Sequence, residues 1–198
     1  MNTAAARRRN FIVLASASPR RRELLRQIGA DFRLAPVEID ESVQAGEDPA
    51  TYVLRLARAK ALAAHERNNS GCPVLGADTA VVIDGQILGK PADVKEAAGM
   101  LRRLSGRSHE VFTAVAVALP GQRVLDRLNV TCVSFAALEP EWIRHYCSSG
   151  DPLDKAGAYG VQGLAAEKIV RIEGSFSGVM GLPLYETAQL LDRAEMLL

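Results

Sequence analysis

Short apolar runs alternate along the chain with amphipathic stretches, and turn residues punctuate the boundaries. Phe11-Ile12-Val13-Leu14-Ala15 is a continuous apolar run that predicts a buried strand. A helix follows at once. Ser18 suits its N-cap, Pro19 its first position and Gly29 the residue just past its end, while Leu24, Leu25 and Ile28 form one apolar stripe. Phe32, Leu34, Val37 and Ile39 predict a second strand ending at Asp40-Glu41. Asp48-Pro49 opens a long helix reaching about Arg67, with Val53, Leu56, Ala57, Lys60 and Ala64 on one stripe. The β-prone run Val74–Ile83 predicts a central strand, and Asp84-Gly85 a tight turn into Ile87-Leu88.

The second half continues in the same manner. Asp93–Leu104 predicts a helix in which Asp93 and Glu96 resemble a capping box and Gly106 marks the end; its stripe is Val94, Ala97, Ala98, Leu101 and Leu104. His109–Leu119 and Arg123–Ala137, turned by Pro120-Gly121, predict an antiparallel hairpin. Glu139–Ser149 predicts a short helix with Trp142, Ile143 and Tyr146 as core and His145 on the surface. Asp151–Gly163 is a glycine-rich loop that carries Asp154, Lys155, Tyr159 and Gln162. Ile169–Ile172 predicts a strand, Gly174–Gly178 a loop, and about Leu184–Leu197 the last helix.

Length and composition narrow the class. The chain has 198 residues, which suits one domain, and 48% hydrophobic residues support a sizeable core. A net charge of +1 carries no nucleic-acid footprint, so any basic site is local. The three cysteines, Cys72, Cys132 and Cys147, are irregularly spaced and form no CxxC pair, which points to a reducing, cytoplasmic compartment. Arg7-Arg8-Arg9 ahead of an apolar run imitates an export signal, but the run is short of the ~7–15 residues that a signal core needs. Residues 1–9 are therefore expected to form a disordered tail before a single domain over residues 10–198, with no membrane-spanning segment.

Several residues are misplaced by ordinary rules. Arg20-Arg21-Arg22 fall in a first helical turn, where the helix dipole disfavours cations; a bound anion would remove the conflict, and so would full solvation. Lys60 lies on an apolar stripe, where it either snorkels to water or reaches a buried anion. Asp78 sits inside an apolar strand, which is costly unless the acid is paired with a cation or binds metal. Gly85 to Gly89-Lys90 imitates a P-loop, but the spacing is one residue short and Pro91 replaces the magnesium-binding hydroxyl.

Two kinds of group thus stand out. Ser16, Ser18, Arg20, Arg21, Lys60, Lys90 and Lys155 are cations or hydroxyls, while Asp40, Glu41, Asp78 and Asp154 are carboxylates. Together they suit a polyphosphate carried with a divalent metal. No Ser-His-Asp order, nucleophile elbow or HExxH motif is present, so hydrolysis of a phosphoanhydride fits best.

The motif Ser16-Ala17-Ser18-Pro19-Arg20-Arg21 with Glu23-Leu24-Leu25 resembles the opening of the Maf family of nucleoside triphosphate pyrophosphatases. The similarity continues through Gly76-Ala77-Asp78-Thr79, Gly89-Lys90-Pro91, Leu104-Ser105-Gly106, the segment from Asp154 to Gly163, and Gly181-Leu182-Pro183-Leu184. It covers nearly all of the chain after the tail. The resemblance implies a two-lobed α/β fold related to inosine triphosphate pyrophosphatases, with an elongated mixed β-sheet flanked by helices and a cleft between the lobes. It implies cleavage of a nucleoside triphosphate to the monophosphate and pyrophosphate with a divalent cation (Mg²⁺ or Mn²⁺), in a homodimer.

The family's proton acceptor falls on Asp78 and its specificity positions on Arg20, Thr79 and Gln162, a combination similar to the dTTP/UTP-hydrolysing branch. On this reading Ser16, Arg21, Lys60, Lys90 and Lys155 contact phosphates, and Asp78 with Glu41 or Asp40 holds the metal. Two rivals remain open at this stage: a nucleotide-binding regulator of cell division with little catalysis, and a pyrophosphatase for modified pyrimidine nucleotides.

Overall fold

The computed structural model describes residues 11–68, 71–121 and 123–194. The tail expected over residues 1–9 lies outside the described residues. One mixed sheet of seven strands organises the rest. The strands are β1 (Ile12–Leu14), β2 (Phe32–Leu34), β3 (Val74–Ile83), β4 (Gln86–Leu88), β5 (Ser108–Ala118), β6 (Val124–Phe135) and β7 (Ile169–Glu173). Their order is β2-β1-β3-β5-β6-β7, with β4 paired to β3. β1 runs parallel to β2 and β3, and all other pairings are antiparallel.

The helices are α1 (Pro19–Gln27), α2 (Pro49–Asn68), α3 (Val94–Leu104), α4 (Pro140–Ser148), α5 (Phe176–Val179) and α6 (Leu184–Arg193). Their caps are the expected ones. Ser18 accepts from the Arg21 N–H at α1, and Asp93 accepts from the Glu96 N–H at α3. Glu96 reaches back to the Ala92 N–H rather than to its own cap residue.

Three apolar cores follow from the topology. One packs α1 and α6 on one face of β1, β3 and β5; a second packs α2 on the opposite face. The third gathers α3, α4 and the glycine-rich segment around the far ends of β3, β5 and β6. The first two cores and the third thus form the two lobes of one continuous sheet.

Some expected elements differ. The strand predicted from Phe32 to Ile39 keeps pairing only to Leu34, because β1 opposite it has three residues to offer. Val94 is half-exposed and Met100 takes its place on the buried side of α3. The loop expected over Gly174–Gly178 instead leads into the short helix α5, which begins at Phe176, runs to Val179 and is capped by Ser175. The last helix ends at Arg193, and residues 195–197 of the predicted span lie outside the described residues.

The strand β3 has an uneven neighbourhood. β5 pairs with it from Val74 to Val82. On its other edge β1 meets only Val74 and Leu75, and β4 only Val81 to Ile83. Between them, among the described residues, Gly76 to Ala80 have no strand partner on that side. Asp78 and Thr79 lie in this opening.

Candidate active site

A cavity of about 470 Å³ fills the opening beside β3. Ser16, Ser18, Arg20 and Arg21 reach it from the β1–α1 turn, Glu41 from the segment before α2, and Lys60 from α2. Asp78 and Thr79 come from β3, Lys90 from the loop after β4, and Asp154, Lys155 and Tyr159 from the glycine-rich segment. The structure therefore brings together Asp78, Thr79, Glu41, Ser16, Arg20, Arg21, Lys60, Lys90 and Lys155. Gln162 is exposed and outside the lining. Asp40 is exposed as well, its carboxylate accepting from the Ser42 N–H instead of turning toward the cavity.

The centre is a carboxylate–ammonium–carboxylate bridge. Lys60 Nζ lies 2.6 Å from Asp78 Oδ1 and 2.6 Å from Glu41 Oε1. Lys60 and Asp78 are both buried, so the lysine is not snorkelling. The pairing and site readings of Asp78 turn out to be compatible, since its partner also lines the cavity. Burial raises the Asp78 carboxyl above its ordinary value, against the pull of Lys60 and Arg21. Burial pushes Glu41 up too, but the Lys60 hydrogen bond and charge, with Lys90 and Arg21, bring it below its ordinary value.

A glycine makes this bridge reachable. At Gly76 a Cβ would stand 2.3 Å from the Ala57 carbonyl oxygen and 2.7 Å from the Ala61 nitrogen. Only hydrogen fits there, so α2 lies directly on β3 and carries Lys60 to Asp78. At Gly157 the φ angle is +67° and a Cβ would meet Val81 at 2.8 Å. That residue presses the glycine-rich segment onto β3, and its N–H donates to the Gly89 carbonyl at 3.0 Å, next to Lys90.

The arginines divide their work. Arg21 donates Nε to the Gly181 carbonyl at 2.8 Å, Nη1 to Ser16 Oγ at 3.3 Å and Nη2 to Thr79 Oγ1 at 3.4 Å. Three of a guanidinium's five N–H groups thus have protein partners, leaving two for a ligand. Burial lowers the Arg21 pKa from its ordinary value, with the Asp78 charge opposing the shift. Arg20 stands 3.8 Å from Asp154, which Lys155 also meets at 2.6 Å, so Asp154 links the two lobes.

Sequence reasoning missed a supporting layer. Tyr146, fully buried on α4, donates to Asp151 Oδ2 at 2.7 Å and accepts from the Gly160 N–H at 3.2 Å. Asp151 in turn holds Lys155 at 3.0 Å. His109 Nε2 lies 2.7 Å from the Tyr159 hydroxyl, backing the cavity wall from β5. Tyr146 carried only an apolar-stripe signal and His109 none, since each finds its partner through long-range folding.

The donor set suits a hard divalent cation. Among the described residues no three of His, Cys, Asp and Glu are grouped to hold a metal alone. Magnesium is commonly held by one or two carboxylates plus substrate phosphates. Asp78 and Glu41 both line the cavity and each meets Lys60 through one carboxylate oxygen, so the second oxygen of each fits that arrangement.

The fold agrees with comparisons against known proteins. A family profile described as Maf-like protein matches residues 11–194. This chain belongs to the Maf-like protein family. A dTTP/UTP pyrophosphatase of Methylobacillus flagellatus is 57% identical over 182 residues, covering 91% of this chain and 90% of that protein. The proteins of the same description from Aromatoleum aromaticum and Escherichia coli O6:K15:H31 are 50% and 51% identical, each covering 91% of this chain and 94% and 91% of their own lengths. In fold the chain is similar to the Ham1 protein of Staphylococcus aureus, with a TM-score of 0.50 at 13% identity, covering 93% of this chain and 97% of that one. A HAM1 protein from Coxiella burnetii gives 0.50 at 17% identity, covering 92% and 98%. Among the described residues no helix is long and apolar enough to cross a membrane.

Proposed function

We propose that this chain is a nucleoside triphosphate pyrophosphatase that hydrolyses dTTP and UTP to the monophosphate and pyrophosphate. The observation that carries this reading is the Asp78–Lys60–Glu41 bridge at the floor of a cavity ringed by Arg20, Lys90 and Lys155. Relatives at 50–57% identity over nine-tenths of the chain bear the corresponding description.

Lys90, Arg20 and Lys155 face the cavity with charges suited to the triphosphate and to the departing pyrophosphate. Asp78 accepts a proton from the water that attacks the α-phosphorus. Its burial makes it a stronger base than an exposed carboxylate, while the Lys60 ammonium favours its ionised form. Asp78 and Glu41 would hold a Mg²⁺ or Mn²⁺ ion, which when bound supplies charge neutralisation at the phosphates and a more acidic water. Thr79 reads the pyrimidine edge from the cavity wall; Gln162 joins it only if its loop turns inward when the nucleotide binds.

A homodimer and a cytoplasmic location complete the proposal, and light scattering tests the first. A regulator with little catalysis is the weaker reading, because the acid and its counter-ion are both in place. The deciding experiment incubates the protein with a panel of natural and modified nucleoside triphosphates and Mg²⁺ or Mn²⁺. Pyrophosphate with monophosphate is the expected product pair. Orthophosphate as the direct product would place cleavage at the wrong bond.

A further inference from the structure

Tyr146 on α4 is fully buried, and its ring stacks on Trp142 with centroids 5.0 Å apart. Burial and the neighbouring Asp151 push its hydroxyl pKa well up, so the proton stays on and is donated. Asp151 Oδ2 takes that hydrogen at 2.7 Å, while the Gly160 N–H donates to the same hydroxyl at 3.2 Å. One buried hydroxyl thus ties together two points of the glycine-rich segment, one on either side of Lys155.

Both points act on Lys155. Its ammonium donates to Asp151 Oδ1 at 3.0 Å and to the Asp151 carbonyl at 2.6 Å. Its stem crosses Gly160, where a Cβ would stand 2.8 Å from Lys155 Cε and 3.0 Å from Cδ. An ammonium has three hydrogens, and the third goes to Asp154 Oδ1 at 2.6 Å. The Asp154 side chain is 70% exposed, whereas that of Asp151 is 37% exposed and is held by Tyr146. The Asp154 contact is therefore the more easily replaced by a phosphate oxygen, and the two Asp151 contacts fix the ammonium.

We propose that Tyr146 is a positioning residue: through Asp151 and Gly160 it aims the Lys155 ammonium at the phosphates of the bound nucleotide. This rests on the reading of Lys155 as a phosphate contact. Without the hydroxyl, Asp151 Oδ2 loses a donor and the Gly160 N–H loses an acceptor. Lys155 then keeps its charge but not the frame that holds it in place.

Tyr146→Phe keeps the ring and removes only the hydroxyl. KM for UTP is expected to rise about tenfold with kcat nearly unchanged, because a hydrogen bond to a charged group is lost away from the reacting atoms. In a Lys155→Met background the same change should add nothing to the loss of kcat/KM. A purely structural role lowers the folded fraction, so kcat falls, KM stays and the two losses multiply; that result overturns the proposal. Should the phenylalanine variant not fold, Asp151→Asn takes its place, since the partly exposed Asp151 carries the same link. A KM raised in the wild-type background but not in the Lys155→Met background supports the proposal, and an unchanged KM overturns it. If wild-type protein releases no pyrophosphate from UTP or dTTP, the proposed function itself fails. Binding of inorganic pyrophosphate with Mg²⁺ to wild type and to Tyr146→Phe then tests the positioning separately: weaker binding by the variant supports it, and equal binding overturns it.

Discussion

Lys60 Nζ stands 2.6 Å from Asp78 Oδ1, and the two residues lie eighteen positions apart on a helix and a strand in face-to-face contact. Both side chains are buried, so each makes the other tolerable as a charge. Asp78→Asn keeps the shape and removes the base. Pyrophosphate release is expected to fall by about 10²–10⁴-fold, with nucleotide binding retained. Product assays and a binding titration on the same preparation check this, and undiminished turnover would remove Asp78 from the base role.

Lys60→Met leaves a buried carboxylate without its ammonium. The Asp78 pKa, already raised by burial, rises further, and the acid limb of any residual kcat/KM profile moves to higher pH. Breaking such a pair costs about 3–5 kcal/mol when the remaining charge stays buried. The folded carboxyl holds its proton more tightly than the unfolded one, so its contribution to stability is lost as pH rises through the folded value. The deficit against wild type should therefore be larger at pH 8 than at pH 5 in urea titrations.

Burial pushes the His109 imidazole from 6.5 down to about 4. Here the sign is opposite. The unfolded chain takes up the proton first, so the stabilising contribution is complete above pH 6.5 and is lost as pH falls through about 4. The loss at full protonation is ~3 kcal/mol. His109→Gln can still reach Tyr159 but cannot charge. Its stability should fall less between pH 7 and pH 4 than that of wild type, and parallel curves would contradict this.

Gly76→Ala pushes α2 away from β3, because the new methyl meets helix backbone at 2.3 Å rather than a side chain that can rotate. Overpacking of this kind costs about 1–3 kcal/mol or more. Lys60 should also retreat from Asp78, so activity falls even at temperatures where the variant is folded. Activity measured well below the midpoint of thermal unfolding separates the two effects.

The hydrophobic pattern carried most of the fold. The β3 boundaries, the α1 caps and the buried stripe of α2 all follow from local periodicity and punctuation. Lys60 and Asp78 were visible as charges out of place, and the structure pairs those two anomalies. Glu41 and Lys90 sit on irregular segments where no periodicity operates, so their convergence depends on how distant chain segments pack. Tyr146 looked like any core aromatic, because its role depends on a glycine N–H fourteen positions away. Gln162 shows the reverse: a glycine-rich motif marked the segment well, yet could not say which of its side chains turns inward.

The interrupted pairing along β3 has a further consequence. An unpaired strand edge normally invites another chain to add to it, which is a route to aggregation. Between Leu75 and Val81, however, β1 closes one end of the gap and β4 the other. An intruding strand would find both ways along the edge blocked. The molecule can leave backbone bare for a small guest while denying it to a polymer.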